Sequence, residues 1–70
     1  MPLQTLDNNL NKEITLITRK GSKYIGKLNQ YDEHGNILLI NTAIQTDQST
    51  EFLGDVIINN ANVIIIDINN

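Results

Sequence analysis

Residues 31–40 are Tyr-Asp-Glu-His-Gly-Asn-Ile-Leu-Leu-Ile, so a polar turn opens directly into an aliphatic strand. A second stretch places Leu-Gly-Asp-Val-Ile-Ile at 53–58, Asn-Asn-Ala-Asn at 59–62 and Val-Ile-Ile-Ile at 63–66. Aliphatic runs bounded by Asn, Asp and Gly are typical of strands joined by turns. The two stretches therefore predict a small all-β domain in which two short polar loops carry the functional side chains.

Five strands with short connections are predicted, at 13–18, 23–31, 37–43, 51–58 and 63–68. Strands this closely spaced favour an antiparallel meander that closes into a small barrel. Before the first strand, Pro2 and the spacing of Leu3, Leu6 and Leu10 predict one short amphipathic helix. The predicted fold class is all-β with one short N-terminal helix and a five-stranded antiparallel barrel. A Gly inside a strand often marks a sharp bend or a close backbone approach, and Gly26 predicts that the second strand is strongly curved.

A chain of 70 residues is expected to form one domain over residues 1–70. A core this small commonly needs an additional source of stability, such as a disulfide, a metal ion or oligomerisation. The absence of Cys excludes disulfides and thiolate metal sites, so oligomerisation is expected. A lone His34, with no catalytic set and no phosphate-binding Gly loop, predicts no enzyme, no metal site and no cofactor. No apolar stretch is long enough to span a bilayer and no signal peptide is evident, so no membrane partner and an intracellular, cytoplasmic location are expected.

The net charge of −3 argues against non-specific binding to phosphate backbones. The charge is unevenly distributed, because all five basic residues lie between positions 12 and 27, namely Lys12, Arg19, Lys20, Lys23 and Lys27. This cluster is either a solvated hairpin face or a modest phosphate-facing patch.

The fifth predicted strand, 63–68, has large aliphatic residues on both faces, which is typical of a strand buried on both sides. It is also the last strand and is expected at a sheet edge, where a long apolar strand must be paired or covered. The simplest solution is pairing with the fourth strand, 51–58, of another copy. Such a contact is heterologous, so its repetition closes a ring or grows a fibre. The alternative is an ordinary core strand in a monomer.

Several of these features resemble the Sm/LSm family of small RNA-binding ring proteins. The family's first motif is an aliphatic strand, a Gly turn, a strand with an internal Gly, and Asp-x-aromatic/His-x-Asn before aliphatics. Here these are residues 14–17, Gly21, residues 24–28 and residues 32–39. The resemblance covers the whole chain and is strongest to short archaeal Sm-like proteins, although a short eukaryotic LSm subunit, with a nuclear location, stays an alternative. It implies a strongly bent Sm-like barrel, a ring that is commonly a heptamer, and binding of uridine-rich single-stranded RNA.

The first loop has side chains that suit an RNA base, and by the resemblance its RNA-binding residues are Asp32, His34 and Asn36. Single-stranded RNA is recognised by stacking its bases and bonding to their edges. His34 has a flat ring for stacking, and the Asn36 amide has both a donor and an acceptor for uracil. Asp32 can accept hydrogen bonds from the backbone or from Asn36 and so fix the orientation of the amide. The alternative is that Asp32, Gly35 and Asn36 only form a turn.

The second motif departs from the family pattern. The family usually has Arg-Gly-Asp or Arg-Gly-Asn between its last two strands, and the RNA-binding positions here are Asn59 and Asn60, followed by Ala61. Asn59 lacks the cation and planar face of Arg. Asn60 is expected to replace Gly by adopting the left-handed backbone conformation. Gly35 stands where the family often has Met. The pocket is therefore expected to keep its stacking and amide half and to lose its cationic half.

Two functions follow from these observations. The first is a ring subunit that binds uridine-rich RNA and scaffolds ribonucleoprotein assembly in RNA processing, with identical or paralogous Sm-like subunits as partners through strands 51–58 and 63–68. The second is a ring scaffold that binds protein partners with little RNA affinity, or a subunit of a mixed eukaryotic LSm ring in splicing or mRNA decay. His34 and Asn36 favour the first function, whereas the acidic charge and the missing Arg favour the second.

Overall fold

The computed structural model describes residues 6–69 and contains five strands. Their bounds are Glu13–Thr18 (β1), Lys23–Tyr31 (β2), Asn36–Gln45 (β3), Thr50–Asn59 (β4) and Val63–Asn69 (β5). All neighbouring strands pair antiparallel in one sheet of order β4-β3-β2-β1-β5. The predicted fold class is confirmed. The third and fourth strands are longer than expected, and the connection at 59–62 contains a short 3-10 helix, Asn60–Asn62, in place of a simple tight turn.

The predicted N-terminal helix lies partly outside the described residues, because Leu3 is not among them. Leu6 and Asp7 are helical and residues 8–11 form turns. Leu6 is fully buried, whereas Leu10 is exposed. Within the described part of the chain, no helix is long and apolar enough to cross a membrane.

Alternate residues of the strands face inward and form one hydrophobic core. In β1, for example, Ile14 and Leu16 are fully buried, as the period of two predicts for a half-buried strand. The fully or almost fully buried apolar residues are Leu6, Ile14, Leu16, Leu28, Ile37, Leu39 and Ile58. This core holds the strand ends, and therefore the loops between them, in fixed relative positions.

Gly26 lies where β2 approaches the middle of β3. A Cβ atom at this position would come within 2.5 Å of Thr42 Oγ1 and 3.1 Å of the Ile40 carbonyl oxygen. The β2–β3 register shifts between Ile25 and Lys27, directly at the glycine. Gly26 therefore allows a close approach of β2 to β3, whereas the sharp bend of β2 at this residue stays a prediction.

The two edges of the sheet are β4 and β5, and both carry exposed apolar side chains. Phe52 and Ile57 on β4 are 72% and 71% exposed, and Ile64 and Ile65 on β5 are 54% and 50% exposed. The expected edge position of the fifth strand is thus confirmed. One chain does not cover these residues itself.

Candidate nucleic-acid interface

The loop between β2 and β3 is organised by the carboxylate of Asp32. Asp32 Oδ1 accepts hydrogen bonds from the backbone N–H groups of His34 and Asn36, each at 2.9 Å. Asp32 Oδ2 accepts a third bond from Asn36 Nδ2, also at 2.9 Å. The prediction that Asp32 fixes the orientation of the Asn36 amide is confirmed.

These bonds also change the acidity of Asp32. They lower the pKa of Asp32 below its ordinary value, first through the side chain of Asn36, then through the backbone N–H of Asn36, and less through His34. Hydrogen bonds donated to a carboxylate favour its charged form. The arrangement of the loop is therefore built around an ionised Asp32.

His34 projects from this fixed backbone into solvent. Its side chain is 76% exposed, and its Nε2 atom lies 3.7 Å from Glu33 Oε1. The backbone of His34 is held at both ends, since its N–H donates to Asp32 and its carbonyl accepts from Asn59 Nδ2 at 3.4 Å. The imidazole is thus an accessible flat ring on a constrained backbone, which is the geometry that base stacking needs.

The β4–β5 turn meets this loop directly. Asn36 is opposite Asn59 in the β3–β4 register, and Asn59 Nδ2 donates to Asn36 Oδ1 at 3.0 Å. Asn59 Oδ1 accepts from the backbone N–H of Ala61 at 2.9 Å and caps the 3-10 helix. The side chain of Asn59 therefore connects the two loops, and its amide is occupied within the protein. The Asn36 amide has one partner at each end and keeps one further donor and one acceptor position.

Asn60 packs against Gly35, and the expected backbone conformation of Asn60 is wrong. Asn60 begins the right-handed 3-10 helix, whereas the left-handed non-glycine residues of the described chain are Asn11 and Asn41. Gly35 has a φ of 86°, and a Cβ atom there would lie 2.3 Å from Asn60 Oδ1. The Asn60 N–H also donates to the Gly35 carbonyl at 2.8 Å. Asn60 is accommodated because residue 35 has no side chain.

The structure thus brings all five predicted site residues, Asp32, His34, Asn36, Asn59 and Asn60, into one pair of touching loops. It also adds a residue that the sequence did not place there. Arg19, in the β1–β2 turn, donates from its backbone N–H to the Asn62 carbonyl at 3.1 Å and from Nε to the Ala61 carbonyl at 3.3 Å. The position of Arg19 follows from the pairing of β1 with β5, which sets Thr18 opposite Val63 and so places the β1–β2 and β4–β5 turns side by side.

The LSM domain family matches residues 4–68 of the chain. An snRNP Sm-like protein of Thermococcus sibiricus is 33% identical over 66 residues, which cover 93% of this chain and 87% of the relative. The corresponding protein of Thermococcus onnurineus is 35% identical over 66 residues, covering 93% and 85%.

Solved structures are similar over nearly the whole chain. The Pyrococcus abyssi Sm protein, solved in complex with a uridine heptamer, is 28% identical with a TM-score of 0.87 and covers 99% of both chains. The SmAP (LSm) protein from Methanococcus vannielii is 27% identical with a TM-score of 0.81, covering 94% of this chain and 92% of its own. Sequence and fold agree, and the chain belongs to the Sm-like (LSm) protein family.

Proposed function

We propose that this chain is a ring-forming Sm-like subunit that binds uridine-rich single-stranded RNA and scaffolds ribonucleoprotein assembly. The observation that carries the proposal is the Asp32–Asn36 hydrogen bond beside an exposed His34 ring. One residue presents an amide in a fixed orientation, and another presents a flat face for the same base. The proposed activity is RNA binding. The absence of enzymatic activity and the cytoplasmic location both stay predictions.

The chemistry of uracil fits this pair of side chains. The edge of uracil combines an N–H donor with carbonyl acceptors, and the Asn36 amide has one donor and one acceptor position left for it. Stacking of a base on an aromatic ring contributes about 1–3 kcal/mol. The Pyrococcus abyssi Sm protein, whose fold this chain shares, was solved with a uridine heptamer, which supports uridine as the base.

Ring assembly is supported by the edges of the sheet. The exposed residues Phe52 and Ile57 lie on one edge strand, and Ile64 and Ile65 lie on the other. A contact between unlike edges of successive copies is heterologous and closes a ring when the rotation allows it. Each subunit of such a ring would carry one copy of the two touching loops. Several weak RNA-binding sites would then act together on one RNA strand through avidity.

Fluorescence anisotropy with labelled oligouridine and oligocytidine tests the proposal. We expect His34→Ala to weaken oligouridine binding by about 1–3 kcal/mol per engaged base, because it removes the stacking face. Asn36→Ala should weaken oligouridine binding and reduce the preference over oligocytidine, because it removes the group that meets the base edge. Gln48→Ala is the control, since Gln48 is an exposed residue of the β3–β4 loop, at the other end of both strands.

Two results would contradict the proposal: no binding of oligouridine by the wild-type protein at low salt, or wild-type affinity in His34→Ala. Native mass spectrometry of each variant checks that the oligomer is unchanged. The absence of oligouridine binding would favour the second candidate function, a ring scaffold for protein partners, whereas wild-type affinity in His34→Ala would place the RNA contact elsewhere on the protein. A specific observation supports that candidate, because the described β4–β5 turn has no cationic side chain and the Asn59 amide is already occupied.

A further inference from the structure

A groove of about 400 Å³ lies between the β1–β2 turn and the end of β4. Arg19, Lys20 and Tyr24 line one side of it, and Asn59 and Asn62 line the other. Its walls therefore come from a segment of the sequence in which the basic residues are concentrated and from the turn of the second motif. The two walls are joined by the hydrogen bonds from Arg19 to the carbonyls of Ala61 and Asn62.

The charge of the groove is opposite to that of the chain. The whole sequence has a net charge of −3, yet among the described residues that line the groove two are cationic and none is acidic. Ser22, Thr18 and the two asparagines add neutral hydrogen-bonding groups, while Ile58 and the edge residue Ile57 form the apolar part of the lining. A cationic, hydrogen-bonding cleft on an acidic protein suits a localised anion better than a neutral ligand.

Arg19 is already oriented for such an anion. Its Nε–H donates to the Ala61 carbonyl at 3.3 Å, which restricts the orientation of the guanidinium group. A guanidinium group has five N–H donors, so the two terminal nitrogens keep their donors for a ligand. A planar fork of this kind matches two oxygens of a phosphate at once, and the fixed stem reduces the entropy lost on binding.

The groove borders the proposed base site through Asn59. Asn59 lines the groove and also donates to Asn36 Oδ1 in the loop that presents His34. A nucleotide whose base lies on the His34–Asn36 loop therefore has a cationic cleft beside it for its phosphodiester link.

We infer that Arg19, with Lys20, binds a backbone phosphate of the RNA in this groove and provides from the β1–β2 turn the cation that the β4–β5 turn lacks. This inference rests on the proposed function, since it takes the anion to be part of the same RNA strand. It assigns a role to two residues of the basic cluster and leaves Lys12 and Lys27 outside the groove.

Salt dependence of binding tests the inference, because each neutralised phosphate releases counterions. The probes are labelled oligouridine and a labelled abasic ribose-phosphate oligomer of equal length, which has the backbone without bases. We expect Arg19→Gln to reduce the slope of log Kd against log salt by about 0.7 for each phosphate that the variant no longer neutralises, with both probes. Arg19→Lys keeps the charge and should keep the slope, with weaker binding because the planar fork is absent. Lys27→Gln is the matched control, a charge removal on β2 away from the groove.

The two proposals fail in different ways. The inference is overturned if Arg19→Gln keeps the wild-type slope, or if Lys27→Gln reduces the slope equally. Base recognition alone is overturned if His34→Ala binds oligouridine like the wild type while Arg19→Gln still reduces the slope. Failure of the wild-type protein to bind either probe at low salt would overturn both. Native mass spectrometry confirms that each variant keeps the wild-type oligomer.

Discussion

At the scale of individual residues, the carboxylate of Asp32 sets the geometry of the candidate site. Asp32 accepts three hydrogen bonds within five residues of chain, two from backbone N–H groups and one from the Asn36 amide. Asn36 then accepts from Asn59, which caps the next turn through its own oxygen. The charged carboxylate of Asp32 therefore orients the neutral amide of Asn36, which is the group that we propose meets the base edge. An amide fixed in this way loses less conformational entropy on binding.

The charge state of Asp32 leads to a prediction on pH. The pKa of Asp32 is lowered in the folded chain, so the folded state resists its protonation more than the unfolded state does. The stabilising effect of this group is present above the ordinary pKa and is lost as the pH falls through the lowered value. We expect the side-chain carbon signal of Asp32, followed by NMR, to titrate below the ordinary value of 3.8. Titration at or above that value would mean that the three hydrogen bonds do not persist in solution.

Two substitutions at Asn59 separate its two roles. Asn59→Asp keeps an oxygen that can cap the Ala61 N–H but removes the donor to Asn36 Oδ1 and to the His34 carbonyl. We expect it to weaken oligouridine binding and to lower the melting temperature less than Asn59→Ala does, because the cap is kept. Asn59→Ala removes all three side-chain hydrogen bonds and should lower stability by about 0.5–2 kcal/mol through removal of the cap alone. Calorimetry and anisotropy on the two variants measure these effects. Equal RNA binding by Asn59→Asp and wild type would show that the Asn36–Asn59 bond does not position the amide.

At the scale of elements, β2 and β3 approach each other closely at a glycine. We expect Gly26→Val to destabilise the fold by well over about 1 kcal/mol, because the added carbons meet Thr42 and the Ile40 backbone. Thr42→Val is the companion variant: Thr42 Oγ1 is buried without a hydrogen-bond partner in the described structure, so its replacement should be neutral or stabilising. Thermal melts of both variants measure the effects. A Gly26→Val protein that melts at the wild-type temperature would contradict the close approach.

Much of this element structure could be predicted from the sequence. The bounds of β1 and β2 agree with the prediction, because each strand has one face of buried apolar residues, although Thr15 on the other face of β1 is buried as well. β3 and β4 extend further at both ends than their apolar runs, since polar residues such as Asn36, Gln45, Thr50 and Asn59 pair through their backbones. A hydrophobic pattern reports burial of side chains, and it does not detect a strand end that is held only by the backbone ladder.

The sequence predicts which residues form the candidate site, but it does not predict all of the hydrogen bonds that join them. Asp32 and Asn36 are close in sequence, so their hydrogen bond follows from the local turn. For Asn59, by contrast, the sequence predicts only an RNA-binding residue that is weaker than Arg. The hydrogen-bond partners of Asn59 depend on the β3–β4 register. Arg19 is predicted only as a member of a basic cluster, because its place beside Ala61 depends on the long-range pairing of β1 with β5. Contacts that cross the sheet need the topology before they can be derived.

At the scale of the whole molecule, the sheet ends in two edge strands that expose large apolar side chains. Isolated edge strands are usually shielded by charges, bulges or short length, and β4 and β5 instead expose Phe52, Ile57, Ile64 and Ile65. β4 also carries Glu51 and Asp55, so its edge is amphipathic rather than wholly apolar. Pairing of β4 with β5 of the next copy would satisfy the open backbone groups and cover these side chains together.

This arrangement predicts that the purified protein forms a closed ring, of the heptameric size that the family resemblance implies, with Ile64 and Ile65 shielded on assembly. Native mass spectrometry and light scattering measure the size, and hydrogen exchange of the β4 and β5 amides reports the pairing.

The double variant Ile64→Lys/Ile65→Lys should shift the protein towards smaller species, because charges would then occupy the apolar edge. Gln48→Lys, which adds a charge in the β3–β4 loop, should leave the ring intact. If the ring needs unlike subunits, the chain alone should be poorly soluble and should recover on co-expression with paralogous partners. A compact, soluble monomer at micromolar concentration would contradict both forms of the prediction, because the exposed edge would then need no partner.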